Sequence, residues 1–310
     1  MKIPVLDLDL FSSGTVQARN LFIKEIGRAF EDIGFVAIDN PGISEKLIDE
    51  LYETVQQFFA LPLEKKKRYE IAGISGQRGY TSFGKEHAKG SLSPDLKEFF
   101  QYGQLDITCP ELLKNVEVPE IPGFNRVFSE SFAAFEKSGI QILSAIAEYL
   151  GLNQHYFNDK VLNGNSILRA IHYPPIINEP LSAIRAEQHE DINLITLLVG
   201  ASADGLEILT KDGTWNPVFS NRGQIIVNVG DMLQRLTNNK LKSTTHRVVN
   251  PPRSLWHTSR FSVPFFLHPQ GQTSLACLDN CINDDLPKIY EDITADEYLD
   301  QRLREIGLKG

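Results

Sequence analysis

The sequence predicts a mixed α+β chain in which helices come first and an antiparallel β core follows. Three observations carry this. Up to about residue 160, apolar residues recur at three- and four-residue steps, the period of one helix face. After about residue 165 they gather in short runs broken by Gly, Asn, Asp and Pro. No long helical stretch separates those runs, which excludes a parallel α/β sheet and leaves a sandwich, jelly roll or barrel.

The elements follow in order. Residues 3–10 alternate apolar and acidic from Leu6 on, as a strand does. Thr15 to Gly34 places Phe22, Ile23, Ile26, Phe30 and Ile33 on one helix face, with Gly34 as the stop. Phe35–Asp39 is a short strand that ends at the turn Asn40-Pro41-Gly42. Ser44 caps a second helix with Leu47, Ile48, Leu51, Val55, Phe58 and Phe59 inside. A third helix runs from about Asn125 to Leu150. The expected strands are Ser166–Tyr173, Ile192–Val199, Leu206–Leu209, Gln224–Val229, Lys242–Val249 and Arg260–Leu267, and a last helix covers Ala295 to Ile306.

Composition narrows the function. With 42% apolar and 23% charged residues, the 310-residue chain is neither disordered nor collagen-like, and it is long enough to bury a large core. No apolar run approaches the length of a membrane span, about 18 residues. A net charge of −9 and a pI near 5.3 give no support to a nucleic-acid or anionic-membrane partner. The first residues enter a charged strand directly, without the apolar stretch of a secretory signal. Cys109, Cys277 and Cys281 are few and odd in number, which suggests reduced thiols and a cytoplasmic location.

The chemistry concentrates in the second half. In extended chain His189 and Asp191 share a face, an imidazole and a carboxylate side by side. Alone, His-x-Asp equally fits a solvated turn entering a strand. His246, inside the strand pattern Thr244–Val249, adds a second imidazole. Two His and one carboxylate are the facial triad of non-haem Fe(II) oxygenases, which leaves sites open for a co-substrate and O2. Arg260 and Ser262 then share a strand face, a spacing suited to clamping a carboxylate. An Arg in so apolar a strand would be costly to bury without an anionic partner. The other His residues (His87, His155, His172, His257 and His268) and the Phe residues default to structural roles.

These pieces, in this order, resemble the 2-oxoglutarate- and Fe(II)-dependent dioxygenases related to isopenicillin N synthase. His189-x-Asp191, Gly205-Leu-Glu-Ile208, the run from Val227 to Val248 and Arg260-Phe-Ser-Val-Pro-Phe-Phe266 carry the likeness in the second half. Ala29–Ile43, Phe58–Tyr69, Arg78-Gly-Tyr80, Asp95–Gly103 and His172-Tyr-Pro-Pro175 carry it in the first and middle parts. The resemblance implies a distorted double-stranded β-helix, or jelly roll, wrapped by N-terminal helices. It implies one catalytic unit over 1–310: a mainly helical part at 1–160, the Fe(II)/2-oxoglutarate core at 161–270, and a C-terminal extension with a helix at 271–310. It implies His189, Asp191 and His246 as iron ligands, and Arg260, Ser262 and Tyr173 as the 2-oxoglutarate site. No catalytic residue beyond the metal ligands is needed. Oxidative decarboxylation to succinate and CO2 would drive hydroxylation, desaturation or cyclisation of a small molecule, with O2 consumed and ascorbate as a supporting reductant.

Several positions depart from the pattern. Asn40-Pro41-Gly42 replaces a common Asn-His-Gly, and Ile171 stands where many plant members carry Asn. The gap from His246 to Arg260 is long, with Pro251–Thr258 read as an extended hairpin loop between them; Arg253 within it is the lesser alternative to Arg260, because it lacks a Ser two residues on. Arg169 hints at an anionic substrate; Phe266, Arg78 and Tyr80 are further candidates for substrate contact, and 73–93 is a candidate lid. Two rival readings stay open: an isopenicillin N synthase-type iron oxidase that does not use 2-oxoglutarate, and a non-catalytic metal-binding jelly roll. Oligomeric state is not readable from the sequence.

Overall fold

The computed structural model describes residues 3–74, 76–86, 94–105, 113–200 and 203–305. In chain order these form β1 (Val5–Asp7), α1 (Asp9–Ser12), α2 (Val16–Asp32), β2 (Phe35–Asp39), α3 (Glu45–Phe59), α4 (Leu63–Lys66), β3 (Gly79–Thr81), β4 (Glu98–Gly103), α5 (Phe124–Tyr149), α6 (Asn158–Val161), β5 (Ile167–Tyr173), β6 (Ala186–His189), β7 (Ile195–Val199), β8 (Leu206–Leu209), β9 (Trp215–Pro217), β10 (Ile225–Val229), α7 (Asp231–Leu236), β11 (His246–Val248), β12 (Arg260–Ser262), β13 (Pro264–Leu267) and α8 (Ala295–Glu305). The helix starts follow the caps: Thr15 Oγ1 accepts from Ala18 N and Ser44 Oγ from Leu47 N, each at 3.2 Å.

Two sheets face each other. The larger has the order β1-β2-β10-β7-β13-β5-β4-β3, with β12 also paired to β5; the smaller has the order β6-β11-β8-β9. All pairings are antiparallel except β1 with β2. This is the distorted double-stranded β-helix that the resemblance implied, here with a second sheet of four strands.

Strand alternation decides what each face does. Phe265 and Leu267 of β13 turn outward to α5, where Phe265 lies 5.0 Å from Phe132 and 5.7 Å from Phe135 between ring centroids. A Cβ on Gly139 of α5 would come within 2.8 Å of Leu267, so the helix lies on the sheet only because that residue has no side chain. Pro264 and Phe266, one residue out of phase, face an internal cavity with Ile167, Arg169, Ile171 and Tyr173 of β5, Thr196 and Leu198 of β7, and Ile226 and Asn228 of β10.

Two features differ from expectation. The first half contributes β3 and β4 as well as β1 and β2 to the large sheet. β4, fully buried, reads as the continuous run Glu98-Phe-Phe-Gln-Tyr-Gly103, without the alternation that marks a half-exposed strand. The run Arg260–Leu267 breaks at Val263 into β12 and β13, which both pair with β5. The long insertion Pro251–Thr258 is ordered, with a turn of 3₁₀ helix at Arg253–Leu255 tied down by Trp256 Nε1 to Pro251 O at 3.1 Å. Residues 87–93 of the expected lid, with His87, and Cys109 lie outside the described residues.

Candidate metal centre and cavity

β6 and β11 pair with His246 opposite His189, which sets the two imidazoles 4.4 Å apart between centroids. Asp191 lies just beyond β6. Its Oδ1 is 3.9 Å from His189 Nε2 and 3.8 Å from His246 Nε2. One ligand atom from each residue falls within 4.8 Å of the others, close enough for the three to converge on one metal ion.

The remaining polar atoms of these side chains are already engaged. Nδ1 of His189 meets Glu187 O at 2.7 Å, and Nδ1 of His246 meets Thr244 O at 3.1 Å. A carbonyl only accepts, so Nδ1 carries the proton in both rings and each Nε2 keeps its lone pair. Asp191 Oδ2 accepts from Thr196 Oγ1 at 2.6 Å and Asn228 Nδ2 at 2.9 Å, and Thr196 in turn accepts from Asn193 Nδ2 at 2.8 Å. Burial, then His246, pushes His189 down to about 4. Burial by itself would raise Asp191, but the two imidazoles and the two hydrogen bonds outweigh it and leave it lowered. With Nδ1 of each ring engaged by a carbonyl, each Nε2 and the Asp191 carboxylate present lone pairs toward one point, the donor set a divalent cation takes.

The triad opens onto a cavity of about 230 Å³. Arg260 and Ser262 enter it from β12, paired in register with Tyr173 and Ile171 of β5. Arg260 is 1% exposed. Its guanidinium lies 5.0 Å from the Tyr173 ring, its Nε donates to Ala203 O at 3.0 Å, and its Nη1 has no partner. A buried, orphaned N–H on a cation beside a hydroxyl fits a carboxylate.

Beside this site, around β4 and β5 of the same sheet, stands a charged cluster that the sequence reading did not anticipate. Lys97 Nζ lies 2.7 Å from Glu86 and 2.8 Å from Asp95, and Arg169 is 3.3 Å from Glu86. Burial would raise Glu86, but Lys97 and Arg169 hold it down at about 2. Arg169 also donates to Gln101 Oε1 at 3.3 Å and lies 4.3 Å from the Phe99 ring and 5.2 Å from that of Phe266. It therefore has its anion already, which removes the reason to expect an acidic substrate from Arg169 alone.

Arg78 and Tyr80 are displaced from the expected substrate wall. Arg78 is fully buried behind it, donating to Gln77 O at 2.7 Å and Leu113 O at 3.3 Å, in space left by Gly103, whose Cβ would fall 1.9 Å from the guanidinium carbon. Tyr80 donates to buried Glu98, which also binds Lys66 at 2.8 Å and His172 Nδ1 at 2.7 Å. A buried carboxylate needs such partners, and Tyr80 is held by that need. Arg253 is on the surface near Glu179, clear of the cavity.

Other cavity residues were not flagged as candidates. His268 lines the cavity, and burial pushes it down to about 4, so it is neutral. Leu299, Arg302 and Leu303 of α8 close one side, anchored by Tyr298 and Arg302 on Asp231 at 3.1 and 3.2 Å. For His268 the available signal was its place two residues beyond Phe266 on one strand phase; for α8 there was none.

Comparison with known proteins decides the family. Residues 3–121 match the model of the N-terminal region of the non-haem dioxygenase in morphine synthesis, and 164–269 match that of the 2OG-Fe(II) oxygenase superfamily. A proline hydroxylase, buaE, of Petromyces alliaceus is 34% identical over 98% of this chain and 99% of its own. The chain belongs to the 2OG-Fe(II) oxygenase superfamily. A superfamily member from Caulobacter crescentus superposes with a TM-score of 0.88 at 42% identity, covering 98% of this chain and 99% of that one. A full-length Neurospora crassa protein, solved in complex with alpha-KG and thymine, superposes with a TM-score of 0.87 at 29% identity, covering 97% and 96%. Further relatives are named 2-oxoglutarate-dependent dioxygenases. This oxygenase is accordingly an oxidoreductase that uses Fe(II) and 2-oxoglutarate to oxidise a small molecule. The 2-oxoglutarate-independent oxidase and the non-catalytic jelly roll are set aside. No helix among the described residues is long and apolar enough to cross a membrane.

Proposed function

We propose that Nε2 of His189, Oδ1 of Asp191 and Nε2 of His246 hold the Fe(II), that Arg260 and Ser262 hold the distal carboxylate of 2-oxoglutarate beside Tyr173, and that the substrate is a neutral, polar small molecule. One observation carries the metal assignment: in all three side chains the convergent atom is free while the other polar atom is hydrogen-bonded. The Fe(II) held by these residues would activate O2, the oxidant, one pair of electrons coming from 2-oxoglutarate as it is decarboxylated to succinate and CO2 and the other from the substrate. The chain's own part is to orient the ligands through Glu187 O, Thr244 O, Thr196 and Asn228, and to hold the substrate against Phe266, His268 and Arg169.

Neutrality of the substrate rests on the part of the cavity beyond the co-substrate residues, around β4 and the start of β5. Lys97 and Arg169 are matched there by Glu86 and Asp95, and His268 is uncharged. Such a wall offers hydrogen bonds from His268, Gln77, Gln101 and Asn165 and ring contact from Phe266. Thymine, present in the Neurospora crassa complex, and free proline, suggested by the relative's name, are the first compounds to compare. A turnover screen with Fe(II), ascorbate and 2-oxoglutarate tests this reading. Succinate release coupled to a neutral compound supports it, and coupling only to dianionic compounds overturns the substrate part.

Two wider readings belong with this one. The whole span 1–310 works as one catalytic unit, a reading supported by β1–β4 of the first half joining the sheet that the second half completes. Buried, free Cys277 and Cys281 support a reducing, cytoplasmic setting.

A further inference from the structure

A second buried cation lies behind the co-substrate end of the cavity, next to the lining residues Ala186 and Tyr173 and not itself on the cavity surface. Arg185 immediately precedes β6 and is 2% exposed. Its guanidinium lies 5.9 Å from the Tyr173 ring, the ring that Arg260 approaches to 5.0 Å. Its Nη2 donates to Thr258 O at 3.2 Å, two residues before Arg260, and its Nε has no partner. Among the described residues neither Arg185 nor Arg260 makes an ion pair. Burial, then the charge of Arg260, lowers Arg185 to about 10, so it remains protonated at neutral pH.

Two like charges buried around one tyrosine, each with an orphaned N–H and no acid, are unfavourable unless an anion completes them. The neighbouring cluster around β4 and β5 shows what this chain does where no fixed anion is due: Lys97 and Arg169 are both matched by carboxylates. We propose that Arg185 is a second cation of the 2-oxoglutarate pocket, acting by charge on the distal carboxylate that Arg260 and Ser262 bind directly. This rests on the 2-oxoglutarate site proposed above. Arg185 would tighten 2-oxoglutarate and favour 2-oxo acids that carry a distal carboxylate over those that do not.

The test is equilibrium titration of anaerobic, Fe(II)-loaded protein with 2-oxoglutarate and, separately, with 2-oxobutyrate, which lacks the distal carboxylate. Arg185→Gln keeps a donor for Thr258 O, Arg185→Met removes it, and Arg185→Lys keeps the charge. A unit charge at about 8 Å in a protein interior predicts a ten- to thirtyfold weaker Kd for 2-oxoglutarate in the Gln and Met variants. The Lys variant should stay within about threefold of the parent, and 2-oxobutyrate should bind all forms alike, since its single carboxylate lies at the iron end.

Thermal melts separate this from a structural role. Losing an unmatched buried charge should leave the melting temperature of ligand-free protein unchanged or higher, while the stabilisation gained on adding 2-oxoglutarate shrinks. A fall in the ligand-free melting temperature with undiminished 2-oxoglutarate affinity overturns the proposal, as does a native Kd in folded Arg185→Gln. If Arg260→Met loses 2-oxoglutarate while the Arg185 variants keep it, this inference alone fails. If Arg260→Met also keeps it, the pocket assignment itself fails.

Discussion

The two walls of the cavity settle their charges in opposite ways. On the wall built from β12 and the start of β6, Arg260 and Arg185 are buried without a carboxylate among the described residues. On the adjoining stretch of the same sheet as β12, lined by Glu86, β4 and the start of β5, Lys97 and Arg169 are buried with carboxylates at 2.7 to 3.3 Å. Burying a cation unmatched is too costly to persist without a function. The unmatched wall therefore marks a ligand of fixed charge, which every turnover needs. The matched wall marks a surface that reads its ligand by hydrogen bonds and shape.

The largest expected effect removes what both walls serve. His246→Ala takes one of three ligand atoms from a site with none to spare, and turnover should fall to background with loss of stoichiometric Fe(II) in a metal assay. Retained iron and activity in that variant would leave the cavity without its centre.

Next comes the matched wall. Glu86→Gln leaves Lys97 and Arg169 with only Asp95, and breaking a buried pair costs about 3–5 kcal/mol. The melting temperature should drop, and added sulfate should restore part of it in the variant and not in the parent. The pH dependence has a definite sign. Glu86 is depressed from 4.5 to about 2, so its stabilisation is complete above pH 4.5 and is lost as pH falls towards 2. The variant should lack that portion of the acid transition. A variant that melts like the parent across this window shows that the two walls do not differ in the way argued.

A smaller effect is expected at the support of Asp191. Thr196→Val removes the 2.6 Å hydrogen bond to Oδ2 while keeping shape, and loss of such a partner weakens metal binding by about 10–100-fold. Competition with a chelator of known affinity measures it. An unchanged Fe(II) affinity would mean that Asn228 alone orients the carboxylate.

Much of the unmatched wall was legible in the sequence, and little of the matched one. His189, Asp191, His246, Arg260 and Ser262 lie in strands or at their ends, where the two-residue period assigns a side chain to a face as soon as one neighbour is placed. Arg169 is brought to Glu86 and Lys97 across a long stretch of sequence, and no local pattern records such pairing. Arg169 looked like a free cation because its partner is 83 residues away. Arg78 and Tyr80 were misplaced for a related reason: buried Glu98 and the space beside Gly103 claim them, and both demands are tertiary. Arg185 directly precedes a recognisable strand, but its lack of an acid is a property of the folded surroundings.

The smallest effect tests whether the matched wall reads its ligand by hydrogen bonds at all. His268 is neutral, and it shares a cavity with the triad. Replacing it with Phe keeps a ring and removes the donor and acceptor. Loss of one neutral hydrogen bond is worth about 0.5–1.5 kcal/mol, so kcat/KM for the neutral substrate should fall about two- to twelvefold. The Kd for 2-oxoglutarate should not move, because His268 stands with the substrate wall and not with Arg260. A change in 2-oxoglutarate affinity with substrate kinetics intact would assign His268 to the other wall. Because the ring is already neutral, the loss should be the same at pH 6 and pH 8; a loss confined to the acid side would mean that a charged imidazole binds the substrate.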